Sequence, residues 1–116
     1  MTSYIPKRGD FVRMDFSPQA GHEQKGWRPA LVVSPYAYNQ VSNTCLVCAI
    51  TRNKAPWEWK VLLPDTEEIE GAVLVDQVSS YDRRARGMKF IGRASPDVIA
   101  RVLSTLSTLT ARVGGK

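Results

Sequence analysis

One helical repeat, confined to the end of the chain, limits what this sequence can fold into. Ser95-Pro96-Asp97 has the parts of a helix start: a hydroxyl at the N-cap, a proline at the first helical position and a carboxylate beside the positive end of the dipole. Val98, Ile99, Val102, Leu103, Leu106 and Leu109 then follow at helical spacing, and Gly114-Gly115 is expected to end the helix. The remainder of the 116 residues breaks into short apolar runs separated by Pro, Gly, Asn, Asp and Ser. Short strands closed by one amphipathic helix predict a mainly β protein with a C-terminal helix, a small curled antiparallel sheet or barrel. The length suits one domain over residues 1–116.

Residues 11–16 alternate, with Val12, Met14 and Phe16 on one face and Phe11, Arg13 and Asp15 on the other. Residues 30–34 and 44–50 are too continuously apolar to have a wet face, so both read as buried strands. Between them, residues 35–40 are turn-like, with room for one helical turn. A fourth strand is expected over 57–63, with Trp57 and Trp59 on the same face, a fifth over 71–75 and a last over 88–93. Residues 52–56 form a basic loop. Residues 65–70 form an acidic turn, read as solvated, and residues 79–87 a connection crowded with Arg83, Arg84 and Arg86.

Cys45-Leu46-Val47-Cys48 is formally a C-x-x-C, but it lies inside a strand-like run, where residues three apart point to opposite faces. With no second pair and a single His, it reads as two buried structural thiols, with no metal site. No apolar run approaches the ~20 residues of a membrane span, and the N-terminus lacks the apolar segment of a signal peptide. A cytoplasmic protein is expected. The net charge of +5, from 16 Lys and Arg against 11 Asp and Glu, favours a polyanionic partner such as nucleic acid or an acidic protein.

Chemistry concentrates in Gly21-His22-Glu23-Gln24-Lys25-Gly26-Trp27-Arg28-Pro29, directly before the apolar run Ala30-Leu31-Val32-Val33. An imidazole, a carboxylate, a carboxamide, an ammonium, an indole and a guanidinium share one glycine-bounded loop. Pro29 biases Arg28 towards extended geometry, which puts Arg28 where loop becomes strand. A loop so rich, mounted on a rigid strand, is where function tends to lie.

These residues carry a resemblance. Gly9-Asp10, Asp15-Phe16-Ser17-Pro18, the loop from Gly21 through Arg28-Pro29 to Ser34-Pro35, and Asp76-Gln77-Val78 with Arg84-Ala85-Arg86-Gly87 resemble the MazF/PemK (Kid) toxins. Those are the ribonuclease halves of bacterial toxin–antitoxin pairs, and the likeness runs in order along essentially the whole chain. It implies an SH3-like, partly open β-barrel of the MazF/Kid/CcdB kind and a symmetric homodimer. It implies cleavage of single-stranded RNA at a short sequence, without metal or other cofactor, leaving a 2′,3′-cyclic phosphate and a 5′-hydroxyl. Inhibition would come from an acidic, MazE-like antitoxin segment laid over the RNA groove. In the MazF-type pattern the functional residues fall on Glu23, Arg28 and Thr51, and in the Kid-type pattern on His22 and Asp76. The Kid-type pattern also expects an Arg two residues before the Asp, where this chain has Leu74; that departure shifts weight to Arg28.

Cutting RNA through its own 2′-hydroxyl needs a proton acceptor, positive charge on the pentacoordinate phosphorane and a proton for the leaving oxygen. Arg28 offers a planar fork of donors matched to phosphate oxygens and is read as the transition-state stabiliser. Thr51, at a strand end, can donate to a phosphate oxygen. Glu23, His22 and Asp76 remain alternatives for the base; His22 and Asp76 can equally be structural loop residues. Trp27 and Trp57 are candidates to stack bases, whereas Trp59 and Phe90 read as core or interface. Arg52, Lys54 and Arg86 can track phosphates, and Gln24, Lys25 and Gln77 belong to the same RNA surface. The Arg83 and Arg84 pair reads equally well as a solvated surface. The competing functions are a gyrase-poisoning toxin of the same fold and a non-catalytic RNA-binding barrel.

Overall fold

The computed structural model describes residues 4–17 and 26–111. Its elements are β1 (Asp10–Asp15), β2 (Trp27–Val32), α1 (Tyr36–Val41), β3 (Thr44–Thr51), β4 (Lys60–Leu62), β5 (Ala72–Leu74), a 3-10 turn (Val75–Gln77), β6 (Ser79–Asp82), β7 (Lys89–Arg93) and α2 (Pro96–Thr110).

All strand pairs are antiparallel and β3 is the hub. One edge of β3 pairs with β2, from Ala30↔Ala49 to Val32↔Val47. The other edge is long enough for two partners in series, β6 along Thr44 to Val47 and β5 at Ile50 and Thr51. The main path is β4-β5-β3-β2-β1-β7. A register slip between Phe11 and Val12, opposite β7, bends the sheet in the way an extra residue does. The expected open, curled sheet with a C-terminal helix is therefore what forms.

Alternation in β1 feeds two cores, one on each face. Phe11 joins Leu31, Cys48, Ile50 and Val73 beneath α2, which contributes Val98 and Val102. Val12 and Met14 join Ala30, Val32, Cys45 and Val47, with Phe16 packed at the margin. The two thiols are buried and unbonded, and they belong to different cores, as strand alternation requires. Ser95 caps α2, its hydroxyl accepting from the Val98 N–H at 3.3 Å.

Several expectations need correction. β2 begins at Trp27 rather than Ala30, so Arg28 and Pro29 are strand residues paired with Met14 and Arg13 of β1. Pro29 is tolerated because pairing with β3 reaches only to Ala30, leaving that end of β2 edge-like. Residues 36–41 form a helix, longer than a single turn. The fourth strand shrinks to Lys60–Leu62 because the Trp57 carbonyl accepts from the Lys60 N–H and closes a turn there. Trp57 is thus outside the strand and shares no strand face with Trp59. The polar segment Ser79–Asp82 is a strand, its pairing supplied by β3. The last helix ends at Thr110, where Thr105, Thr108 and Thr110 bond back to carbonyls three or four residues earlier. Phe90 is exposed, edge-on to Tyr4, so it is not core.

The acidic turn, read as solvated, and Arg83, for which a solvated surface is an equal alternative, are both structural. Arg83 is buried, and its Nη1 donates to the carbonyls of Asn39 (2.9 Å) and Ser42 (2.6 Å) at the end of α1. In the acidic turn, Glu67 Oε1 accepts from the Ser95 N–H and Glu68 Oε1 from the Arg93 N–H, both at 3.1 Å. That turn clasps β7 and the start of α2, bridging the gap the open sheet leaves.

Candidate active site

The loop that dominates the sequence is held at its roots. The Phe16 N–H donates to the Gly26 carbonyl at 2.8 Å, and buried Asp15 accepts from the Ser17 N–H through Oδ1 at 2.8 Å. Gly26 lies so close to Asp15 Oδ1 that a Cβ there would collide with it. His22, Glu23, Gln24 and Lys25 lie outside the described residues.

Where the chain leaves the loop, β2 carries Arg28 on an exposed position. Arg28 lies two residues before Ala30, where the pairing of β2 with β3 begins, and Thr51 ends β3 two residues after Ala49. Both line a cleft of about 500 Å³ between the sheet and the acidic turn, together with Arg52 and Trp27. Pro29, Ile50 and Ile91 give it apolar walls. Three of its charged lining residues were not singled out as functional from the sequence: Arg13, Glu68 and Glu70. Arg13 is traceable in principle, as the one cation in the first strand, but Glu68 and Glu70 reach the cleft only through the tertiary path of their turn. Among the described residues, Arg13, Arg28 and Arg52 form no ion pair.

Thr51 is prepared for a ligand. Its Oγ1 accepts from the Asn53 N–H at 3.1 Å, which fixes the oxygen and leaves the hydroxyl hydrogen to donate. Trp27 is half-buried against Gly87, with the Lys89 ammonium 5.6 Å from its ring centroid. One face of the indole is thereby covered by a cation, and its far edge abuts Gly87.

The remaining candidates sit elsewhere. Asp76 and Gln77 are exposed in the 3-10 turn, and Asp76 Oδ2 accepts from Trp57 Nε1 at 3.1 Å. Trp57 is 52% exposed and lines a second hollow of about 560 Å³ with Lys54, Pro56 and Leu62. Lys60 Nζ fastens that loop by donating to the carbonyls of Asn53 and Ala55. Lys54 links the two hollows through an exposed ion pair with Glu70 at 3.4 Å. Arg86 is engaged at the loop root: its Nη1 donates to the Phe16 carbonyl at 3.0 Å, and its guanidinium lies over Tyr81. Phosphate tracking by Arg86 would have to compete with those contacts. Among the described residues, no three His, Cys, Asp or Glu side chains converge to hold a metal ion, and no helix is long and apolar enough to cross a membrane.

Residues 7–110 match the family described as PemK-like, MazF-like toxins of type II toxin–antitoxin systems. The chain belongs to that family. Relatives of this MazF/PemK-like protein include the endoribonuclease toxin MazF of Escherichia coli (strain K12), 35% identical over 94% of this chain and 97% of that one. The endoribonuclease toxin ChpB of the same organism is 42% identical over 89% of this chain and 92% of its own length. Among solved structures, MazF from Deinococcus radiodurans superposes with a TM-score of 0.83 at 40% identity, over 95% of this chain and all of that one. A MazE–MazF structure from the same organism gives a TM-score of 0.85 at 37% identity with the same coverage.

Proposed function

We propose that this MazF/PemK-type endoribonuclease toxin cuts single-stranded RNA at a short recognition sequence, without a metal ion, by turning the RNA's 2′-hydroxyl on the adjacent phosphate. The products are a 2′,3′-cyclic phosphate and a 5′-hydroxyl. The observation that carries this reading is that Arg28 and Thr51 line one open cleft together with Arg13 and Arg52, guanidiniums that form no ion pair among the described residues. A guanidinium fork facing two phosphoryl oxygens stabilises charge that grows in the transition state, and the Thr51 hydroxyl adds a neutral donor. Arg28 acts as a fixed cation, because its proton is not readily given up.

The proton acceptor is Glu23, His22 or Asp76. His22 has the intrinsic pKa nearest neutrality, and Asp76 already shares one oxygen with Trp57. Arg52, Lys54, Gln24, Lys25 and Gln77 guide the strand, Trp57 offers an exposed indole for a base to stack on, and Trp27 closes one end of the cleft. The same cationic surface suits an acidic segment of a MazE-like antitoxin, which would silence the toxin by occupying the RNA's place. The working unit is a cytoplasmic homodimer of this one domain.

The test is a long single-stranded RNA incubated with the protein in excess EDTA, followed by mapping of cut sites and end groups. Discrete cuts with cyclic phosphate ends are expected, and Arg28→Ala should lose them while keeping the wild-type fold. Full activity in Arg28→Ala would remove Arg28 from the mechanism, and intact RNA with the wild-type protein would overturn the reading.

A further inference from the structure

Glu68 stands where a polyanion-binding cleft should not hold a carboxylate. Its neighbours on the lining are Arg13, Arg28 and Arg52, which invite phosphate, whereas a carboxylate repels it. The side chain is nonetheless fixed. It lies flat over Gly92, where a Cβ would collide with its carboxylate, and Oε1 accepts from the Arg93 N–H at 3.1 Å. Oε2 has no hydrogen-bond partner among the described residues. Glu70 differs: its carboxylate is mostly exposed and faces Lys54.

We infer that the cleft beside Arg28 is a base-reading pocket, in which Glu68 Oε2 accepts from the exocyclic amino group of a nucleobase flanking the cut. The inference rests on the ribonuclease reading and names the substrate feature that the same cleft selects. Arg28 and Arg52 hold the phosphates, and the base lies against the apolar walls of Pro29, Ile50 and Ile91. An ionised carboxylate only accepts hydrogen bonds. Cytosine, adenine and guanine each carry an amino donor, whereas uracil turns carbonyl oxygens to its partner on both sides of a single N–H. Unpaired bases in single-stranded RNA expose these edges to side chains. Arg13, on the same lining, can donate to the ring nitrogens or carbonyls beside the amino group. The pocket therefore takes an amino-bearing base and rejects uracil.

Glu68→Gln is the sharp variant, because its carboxamide oxygen can still accept from Arg93 while its nitrogen presents a donor where Oε2 accepted. Cut sites would be mapped on a randomised single-stranded RNA pool for the wild type, Glu68→Gln and, as a control, Glu70→Gln. The wild type should show an amino-bearing base at one fixed position beside the cut, preferred over uracil by roughly tenfold or more. Glu68→Gln should lose that preference at that position alone, and Glu70→Gln should keep it. A second measurement leaves the protein unaltered: synthetic RNA lacking the amino group of that base should be cut about tenfold more slowly by the wild type. A wild-type base profile in Glu68→Gln, or undiminished cutting of the amino-less RNA, would overturn the inference and leave the ribonuclease reading standing. RNA left intact by the wild type would overturn both.

Discussion

The indole Nε1 of Trp57 donates to Asp76 Oδ2 at 3.1 Å, which joins an exposed aromatic from one loop to an exposed acid from the 3-10 turn. The two are nineteen residues apart, and the contact gives Asp76 a positioning task independent of proton transfer. Asp76→Asn separates the tasks, because a carboxamide oxygen still accepts from the indole but cannot take a proton. If Asp76 positions Trp57, Asp76→Asn should cleave RNA within about threefold of wild type, while Asp76→Ala and Trp57→Ala each lose roughly tenfold, the scale of one stacked base. Losses of about 10²–10⁴ in Asp76→Asn and Asp76→Ala alike would instead make Asp76 the acid or base. Single-turnover cleavage of one RNA by all three variants decides between them.

Gly87 holds Trp27 in place by what it lacks. Its φ is +63°, in the left-handed region, and a Cβ there would come within 2.8 Å of the far edge of the Trp27 ring. Gly87→Ala adds about 1–2 kcal/mol of backbone cost to an overpacking cost of similar size. A loss of about 2–4 kcal/mol is expected in urea unfolding. A shift in tryptophan fluorescence of the folded state should accompany it as the indole is pushed towards the cleft.

Arg83 acts on stability at a distance from the cleft. Its guanidinium satisfies two backbone carbonyls at the C-terminal end of α1, on residues 39 and 42. Arg83→Met would leave both acceptors without that charged donor, a cost of about 2–3 kcal/mol. Urea unfolding should read that loss, and cleavage per folded molecule should stay at the wild-type level because Arg83 lines neither hollow.

The pattern of what was legible follows from where each element's information resides. β1, β3 and the start of α2 carry it locally, in alternation, an unbroken apolar run and a Ser-Pro-Asp cap. Ser79–Asp82 has no apolar alternation at all; it is a strand because β3 offers it an edge. In the sequence Arg83 is indistinguishable from Arg84 beside it, a pair that reads equally well as a solvated surface, and burial singles Arg83 out because α1 presents two carbonyls to it. At the site, Arg28 and Thr51 could be named individually, but the cleft they share forms only when β2, β3 and the acidic turn come together. Glu68 and Glu70 reach the cleft by the path of their turn, which carries no local signal.

The buried thiols give the fold an alkaline limit. Burial pushes the Cys45 thiol up to about 11 and the Cys48 thiol up to about 12, against an ordinary value near 9. Above pH 9 the unfolded chain releases both protons while the folded state keeps them, so the folded state binds more protons and stability falls as pH rises. Below pH 9 both states hold the protons and the thiols contribute no pH dependence. The decline should therefore begin near pH 9, with both thiols contributing until Cys45 ionises near 11 and Cys48 continuing to about 12. Urea midpoints measured from pH 7 to pH 11 should be flat in this contribution and then drop, and Cys48→Ala should fall less steeply even though its midpoint at pH 7 starts lower. The comparison cancels every contribution that the two proteins share. Identical slopes for wild type and Cys48→Ala would mean that the Cys48 thiol ionises as readily in the fold as outside it.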